Sequence, residues 1–145
     1  MRELVPFLAV LFCSFALMPS GAHALELASK MHMSERDYMT VQNVYRGWAL
    51  AGSVVIVALV FTAWFAMMTH SRTAFWLASG AFLCLIGTQA VFWLFTYPIN
   101  TRTENWSKPP DDFEHARRQW EFSHAASAVL NLAALTLIIL AVIAR

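Results

Sequence analysis

The sequence predicts an all-α integral membrane protein, folded as an up-down bundle of four transmembrane helices. Three observations predict it. Four stretches run without a charged residue for about the 20 residues that a bilayer crossing needs. Hydrophobic residues make up 59% of the chain and charged residues 13%, against roughly 45–50% and 25% in an ordinary soluble domain. The charge that does exist gathers in the connections, beside recognisable helix-start signals. At 145 residues the chain is expected to be one membrane domain, 1-145. A disordered chain is excluded, because it would need low hydrophobicity and high net charge. A nucleic-acid partner is not expected either, because the net charge is +1 and no basic stripe exists. The lipid bilayer is the expected partner.

The first span covers 4-24. Arg2, the apolar run from Leu4 and the small-x-small triplet Ala22-His23-Ala24 also fit a secretory signal peptide. Against cleavage, Leu25-Glu26-Leu27-Ala28 continues with helical propensity. The local pattern leaves both outcomes open. Ser34-Glu35-Arg36-Asp37 then reads as a helix start, with Ser as cap and acids in the first turn. No breaker is evident from there to Met68, so the second span, 48-69, is expected to extend beyond the membrane. The third span covers 73-97 and is expected to stop at Pro98, because proline is costly inside a helix. Pro109-Pro110-Asp111-Asp112 opens a last helix that includes the fourth span, 125-144. At 1.5 Å per residue, 111–144 would reach about 51 Å, well beyond a hydrocarbon core of about 30 Å. Its first dozen or so residues should therefore form part of a cap.

Lys and Arg counts orient the bundle. Arg2, Arg72 and Arg145 fall on one side. Lys30, Arg36, Arg46, Arg102, Lys108, Arg117 and Arg118 fall on the other. This places the long connections in the cytoplasm and both termini on the non-cytoplasmic side of an inner (plasma) membrane. Trp48, Trp106 and Trp120 should then lie near the cytoplasmic interface, and Trp76 near the opposite one.

Polar residues concentrate at the cytoplasmic helix ends. His23-x-x-Glu26 and Glu121-x-x-His124 each put an acid and an imidazole on one helix face. Carboxylate-bridged di-metal bundles need a Glu from each of two further helices, and neither is present here. Three readings stay open: a mononuclear metal site of His23, Glu26, Glu121 and His124, a metal-free polar pocket, or structural caps in which Arg117 or Arg118 pairs with Glu121. Asn100 reads as a cap or as a hydrogen-bond donor to a ligand carbonyl. Asn131 and Gln89 are expected to bond across helices, and Gly47, Gly52, Gly80 and Gly87 to let helices approach closely. Cys13 and Cys84 lack any paired motif and read as small buried residues. No phosphate loop, GxSxG or HExxH is present.

Four segments carry a family likeness. They are Ala22-His23-Ala24-Leu25-Glu26-Leu27, Val41-Gln42-Asn43-Val44-Tyr45-Arg46-Gly47-Trp48, Phe95-Thr96-Tyr97-Pro98-Ile99-Asn100 with Asn105-Trp106, and Arg117-Arg118-Gln119-Trp120-Glu121-Phe122-Ser123-His124. Together they resemble the anthrone-oxygenase-like family of small four-helix membrane proteins. The likeness covers nearly the whole chain, and Pro-x-Asn and Arg-x-Trp-x-x-x-His are its most specific pieces. It implies that the first helix is retained, with His23 and Glu26 at its end. It also implies oxidation of an anthrone-type substrate by dioxygen without a classical cofactor. His124 or His23 would be the base, with Arg118 and Asn100 holding the anion. Tyr45, Tyr97, Trp120 and Gln42 are the candidate contacts to an aromatic or quinone-like lipophile. The rival classes are a non-catalytic membrane subunit or scaffold, and a metal- or haem-binding electron-transfer protein.

Overall fold

The computed structural model of the protein describes residues 3–45 and 47–145, leaving aside the side chains of 49–51. Arg2 and Arg46, counted above toward orientation, lie outside the described residues. The described residues are mainly helical and include no strand: α1 (Leu4–Met31), α2 (Glu35–Gln42), α3 (Ala49–Met68), α4 (Arg72–Val91), α5 (Tyr97–Arg102) and α6 (Phe113–Ile143). Three helical runs are long and apolar enough to cross a membrane: Leu4–Met31, Arg72–Arg102 and Phe113–Ile143. A fourth apolar run, Gly52–Met68, is shorter.

The long helices close a ring, in which α1 packs on α3 and α6, and α4 packs on the same two. At one end of the ring Ser71 Oγ donates to the Ala144 carbonyl at 2.8 Å, and Arg145 pairs with Glu3. The interior is built from small side chains. Ala9, Cys13 and Ala16 of α1, Ala78 and Ala81 of α4, and Ala134 and Ala141 of α6 are all buried. Small residues let helix backbones come close where no hydrophobic drive separates inside from outside. Gly80 and Gly87 serve this purpose: a Cβ on either would sit 3.3 Å or 3.2 Å from Leu137 or Leu130 of α6. Gly52 does not, since a Cβ there would meet nothing within 4 Å. Large apolar side chains such as Phe7, Met18, Met67, Leu83, Leu94 and Val129 instead point outward. Cys13 and Cys84 are both free thiols; Cys13 is buried as expected, whereas Cys84 is only partly buried.

Three local features differ from the sequence expectation. The helix opened by Ser34, whose side chain does cap the Asp37 N–H, does not run on to Met68. It ends in a tight turn at Asn43–Tyr45, and Gly47 follows with φ +90, a region that a side chain disfavours. Pro98 does not stop the third helix. Just before it, Phe92–Thr96 widens into a π-turn in which the Tyr97 N–H reaches back to the Phe92 carbonyl. The wider turn accommodates both the proline ring and its missing N–H, and the helix continues to Arg102. Trp106 and Trp120 are not interface anchors. They are buried in a second core with Tyr38, Ile99, Phe113 and Ala116, which caps one end of the bundle. Trp48 and Trp76 are exposed. α1 runs unbroken through Ala22-His23-Ala24, and the first turns of α6 place Phe113, Ala116 and Trp120 in the cap.

Candidate functional site

His23, Glu26 and Lys30 are spaced i, i+3, i+7 on α1 and share one face. That face turns toward α6 and the Tyr45 turn. Lys30 is only 1% exposed. Its Nζ lies 3.1 Å from His23 Nδ1, 3.0 Å from Glu26 Oε2 and 3.5 Å from Glu121 Oε1. It also sits 4.2 Å from the centre of the Tyr45 ring, at cation–π distance. Glu121, fully buried, accepts a further hydrogen bond from the Tyr38 hydroxyl at 2.9 Å, and the Tyr45 hydroxyl donates to Glu26. An ammonium therefore occupies the middle of the residues read as a metal set. Among the described residues, no group of three or more His, Cys, Asp or Glu is disposed to hold a metal ion.

Lysine can only donate, so His23 Nδ1 must accept. The His23 proton therefore sits on Nε2, and the ring is neutral. The Tyr38 phenol is pushed far above its ordinary range, first by burial and then by the Glu121 carboxylate against it. Tyr45 is raised likewise, by burial and then by Glu26. Both remain neutral donors.

Neither arginine expected to pair with Glu121 does so. Arg117 is buried and donates to the Met33 carbonyl at 2.7 Å and the Lys30 carbonyl at 3.4 Å, while pairing with Glu114 at 2.6 Å. It thus holds the C-terminal end of α1, where a cation suits the free carbonyls. Arg118 is exposed.

Beside this cluster a cavity of about 850 Å³ runs between the helices, lined by Trp106 and Trp48 toward the capped end of the bundle and by Ala16 and Asn131 further along α1 and α6. His23, His124, Asn100, Gln42, Tyr45, Tyr97 and Trp120 all line it, whereas Arg118, Glu26 and Glu121 do not. The His23 and His124 rings are 4.2 Å apart, and Trp120 lies 4.3 Å from His124 and 4.9 Å from His23. His124 Nε2 is buried without a hydrogen-bond partner. Asn100 Oδ1 accepts from the Trp120 indole at 2.7 Å. Because indole only donates, this fixes the amide orientation and leaves the Asn100 NH2 free to donate. Deeper in, Asn131 bonds across to α1, to the Ala16 carbonyl and Ser20 Oγ. Gln89 faces the cavity.

Sequence reasoning missed Lys30 and Tyr38. Lys30 was readable, since it continues the His23–Glu26 face by one turn. Tyr38 was not, because its place depends on α2 folding back beneath α6. Neither a family model, nor a curated protein, nor a solved structure matches this chain.

Proposed function

We propose that the chain is a four-span inner-membrane protein of the anthrone-oxygenase-like kind, whose cavity binds a flat aromatic or quinone-like lipophile and oxidises it with dioxygen. One observation carries this reading: a cavity of about 850 Å³ walled by indole and phenol rings, with two imidazoles in contact on its side. α3 supplies the fourth span, its 20 residues reaching about 30 Å, the depth of a hydrocarbon core. The exposed apolar side chains on all four long helices suit contact with lipid. Among the described residues, Lys30, Arg36, Arg102, Lys108, Arg117 and Arg118 belong to the cavity end and Arg72 and Arg145 to the other. The capped end of the bundle then faces the cytoplasm and both termini face away. Retention of the first helix is supported by His23 and Lys30, both buried against α6.

His124 is the base in this scheme, because its Nε2 is unpartnered. His23, with Nδ1 held by Lys30, is instead a donor. Proton removal from the activated ring position gives an anion, which the Asn100 NH2 and the His23 N–H stabilise. Arg118, exposed on the outer face of α6, takes no part. Over the whole reaction a CH2 becomes C=O: two hydrogens leave, one oxygen atom of dioxygen enters, and the other departs in water. Lys30 and its carboxylates are scaffolding for the imidazoles, not a metal site.

The test is aerobic turnover of anthrone by the purified protein, followed by anthraquinone absorbance. Wild type should turn over, and His124→Ala should lose about 10²-fold or more. No product, or equal rates in both proteins, would overturn the assignment.

A further inference from the structure

The unpartnered polar atoms at the capped end of the cavity share one chemical character. The Trp106 indole Nε1 and the Gln42 amide Nε2 are both buried without a hydrogen-bond partner, and both residues line the cavity while being only 4% exposed. Gln42 lies beside the Tyr38 phenol and acts on it as a donor would, but the contact stops short of hydrogen-bond geometry, and an amide NH2 has a second hydrogen to offer. The Asn100 NH2 is a third donor at this level, since its oxygen is committed to Trp120. An indole N–H can never accept, so only an acceptor atom can satisfy Trp106. Trp106 packs against Trp120, with ring centres 5.8 Å apart. Trp120 in turn precedes His124 by one helical turn on α6.

The backbone holds Trp106 there at some strain. Glu104, Asn105 and Trp106 have φ of 50, 55 and 61, a left-handed run that is uncommon for non-glycine residues and least suited to a bulky one. Thr103 stabilises it, accepting from the Trp106 N–H at 3.0 Å while donating to the Ile99 carbonyl at 2.8 Å. Strained segments of this kind persist where the surroundings over-determine them, commonly at ligand clamps.

Resting on the reading of the cavity as an aromatic-ligand site, we infer that the ligand carries an exocyclic oxygen, a carbonyl or phenolate, seated between the Trp106 indole N–H and the Gln42 amide NH2. A bare hydrocarbon would leave these donors unpaired, and a cation would be repelled by them. The seat also sets direction. From Trp120 the cavity face of α6 continues to Asn131, 11 residues further on, about 16 Å at 1.5 Å per residue. The oxygen-bearing end lies at the capped end of the bundle, and any tail points toward Asn131.

Two probes of one skeleton test this: 2-methyl-1,4-naphthoquinone, which carries ring carbonyls, and 2-methylnaphthalene, which has none. Each is titrated calorimetrically into the full-length protein in detergent, with empty micelles as blank. Wild type should bind the quinone about tenfold or more tighter than the hydrocarbon. Trp106→Phe and Gln42→Leu should each shrink that ratio. The two variants act on different elements, so failure of one to fold leaves the other as the test. Equal wild-type affinities, or a ratio unchanged in a folded variant, would overturn the oxygen seat while leaving the aromatic site standing. If wild type binds neither probe, the aromatic-ligand reading fails, and the oxygen seat with it.

Discussion

Lys30 carries more of the candidate site than any other side chain. A buried ammonium is costly unless paired, and here it faces Glu26, Glu121, His23 and the Tyr45 ring together. Removing it strands the fully buried Glu121 carboxylate. Lys30→Met should therefore cost about 3–5 kcal/mol in denaturant unfolding, and adding Glu121→Gln should recover much of the loss. A neutral single variant would contradict the pairing. Tyr38 makes a pH prediction. Its phenol keeps its proton in the fold, while the unfolded phenol releases it near the usual value of about 10. The folded state then binds more protons in that window. The contribution is fully present below about pH 10 and lost as pH rises further. Melting temperature should fall above that pH, and less steeply in Tyr38→Phe. The polar cluster was half legible in the sequence. The two His/Glu spacings announced which faces meet, but they do not say that a lysine from the next turn fills the centre. Arg117 and Arg118 are adjacent and chemically alike, so only the rotation of α6 reveals which one is inside.

At the scale of elements, small residues set the helix spacing. A Cβ on Gly87 would meet Leu130 at 3.2 Å, so Gly87→Val should overpack the α4–α6 contact and cost about 1–3 kcal/mol. Gly52→Ala meets nothing and should be neutral or mildly stabilising, because alanine suits a helix interior better. Thermal unfolding of the two variants side by side checks the contrast, and equal effects would contradict it. The Gly80 and Gly87 roles were readable from composition and spacing alone. The break between α2 and α3 was not, since it turns on the positive φ at Gly47 within a stretch that otherwise reads as helix. Pro98 misleads for a related reason. The π-turn before it is a response of the whole α4–α5 helix to proline, and local propensity does not contain it.

For the whole molecule, hydropathy and the absence of charge made the helical architecture and its apolar exterior legible. The polar helix ends marked the end of the bundle that holds the polar cluster beside the cavity. The cap was less legible, because Trp106 and Trp120 have the aromatic character of membrane anchors and declare their burial only when α2, α5 and α6 assemble. The functional proposal needs all four long helices present and the cavity able to hold an organic guest. Native mass spectrometry of the protein released from detergent reads both at once. The expected spectrum shows the intact chain near 16.3 kDa, with the added mass of a quinone-type lipophile that Trp120→Ala no longer retains. A chain shortened through Ala24, which would remove His23, or an intact chain that never carries such a guest even when one is supplied, would contradict it.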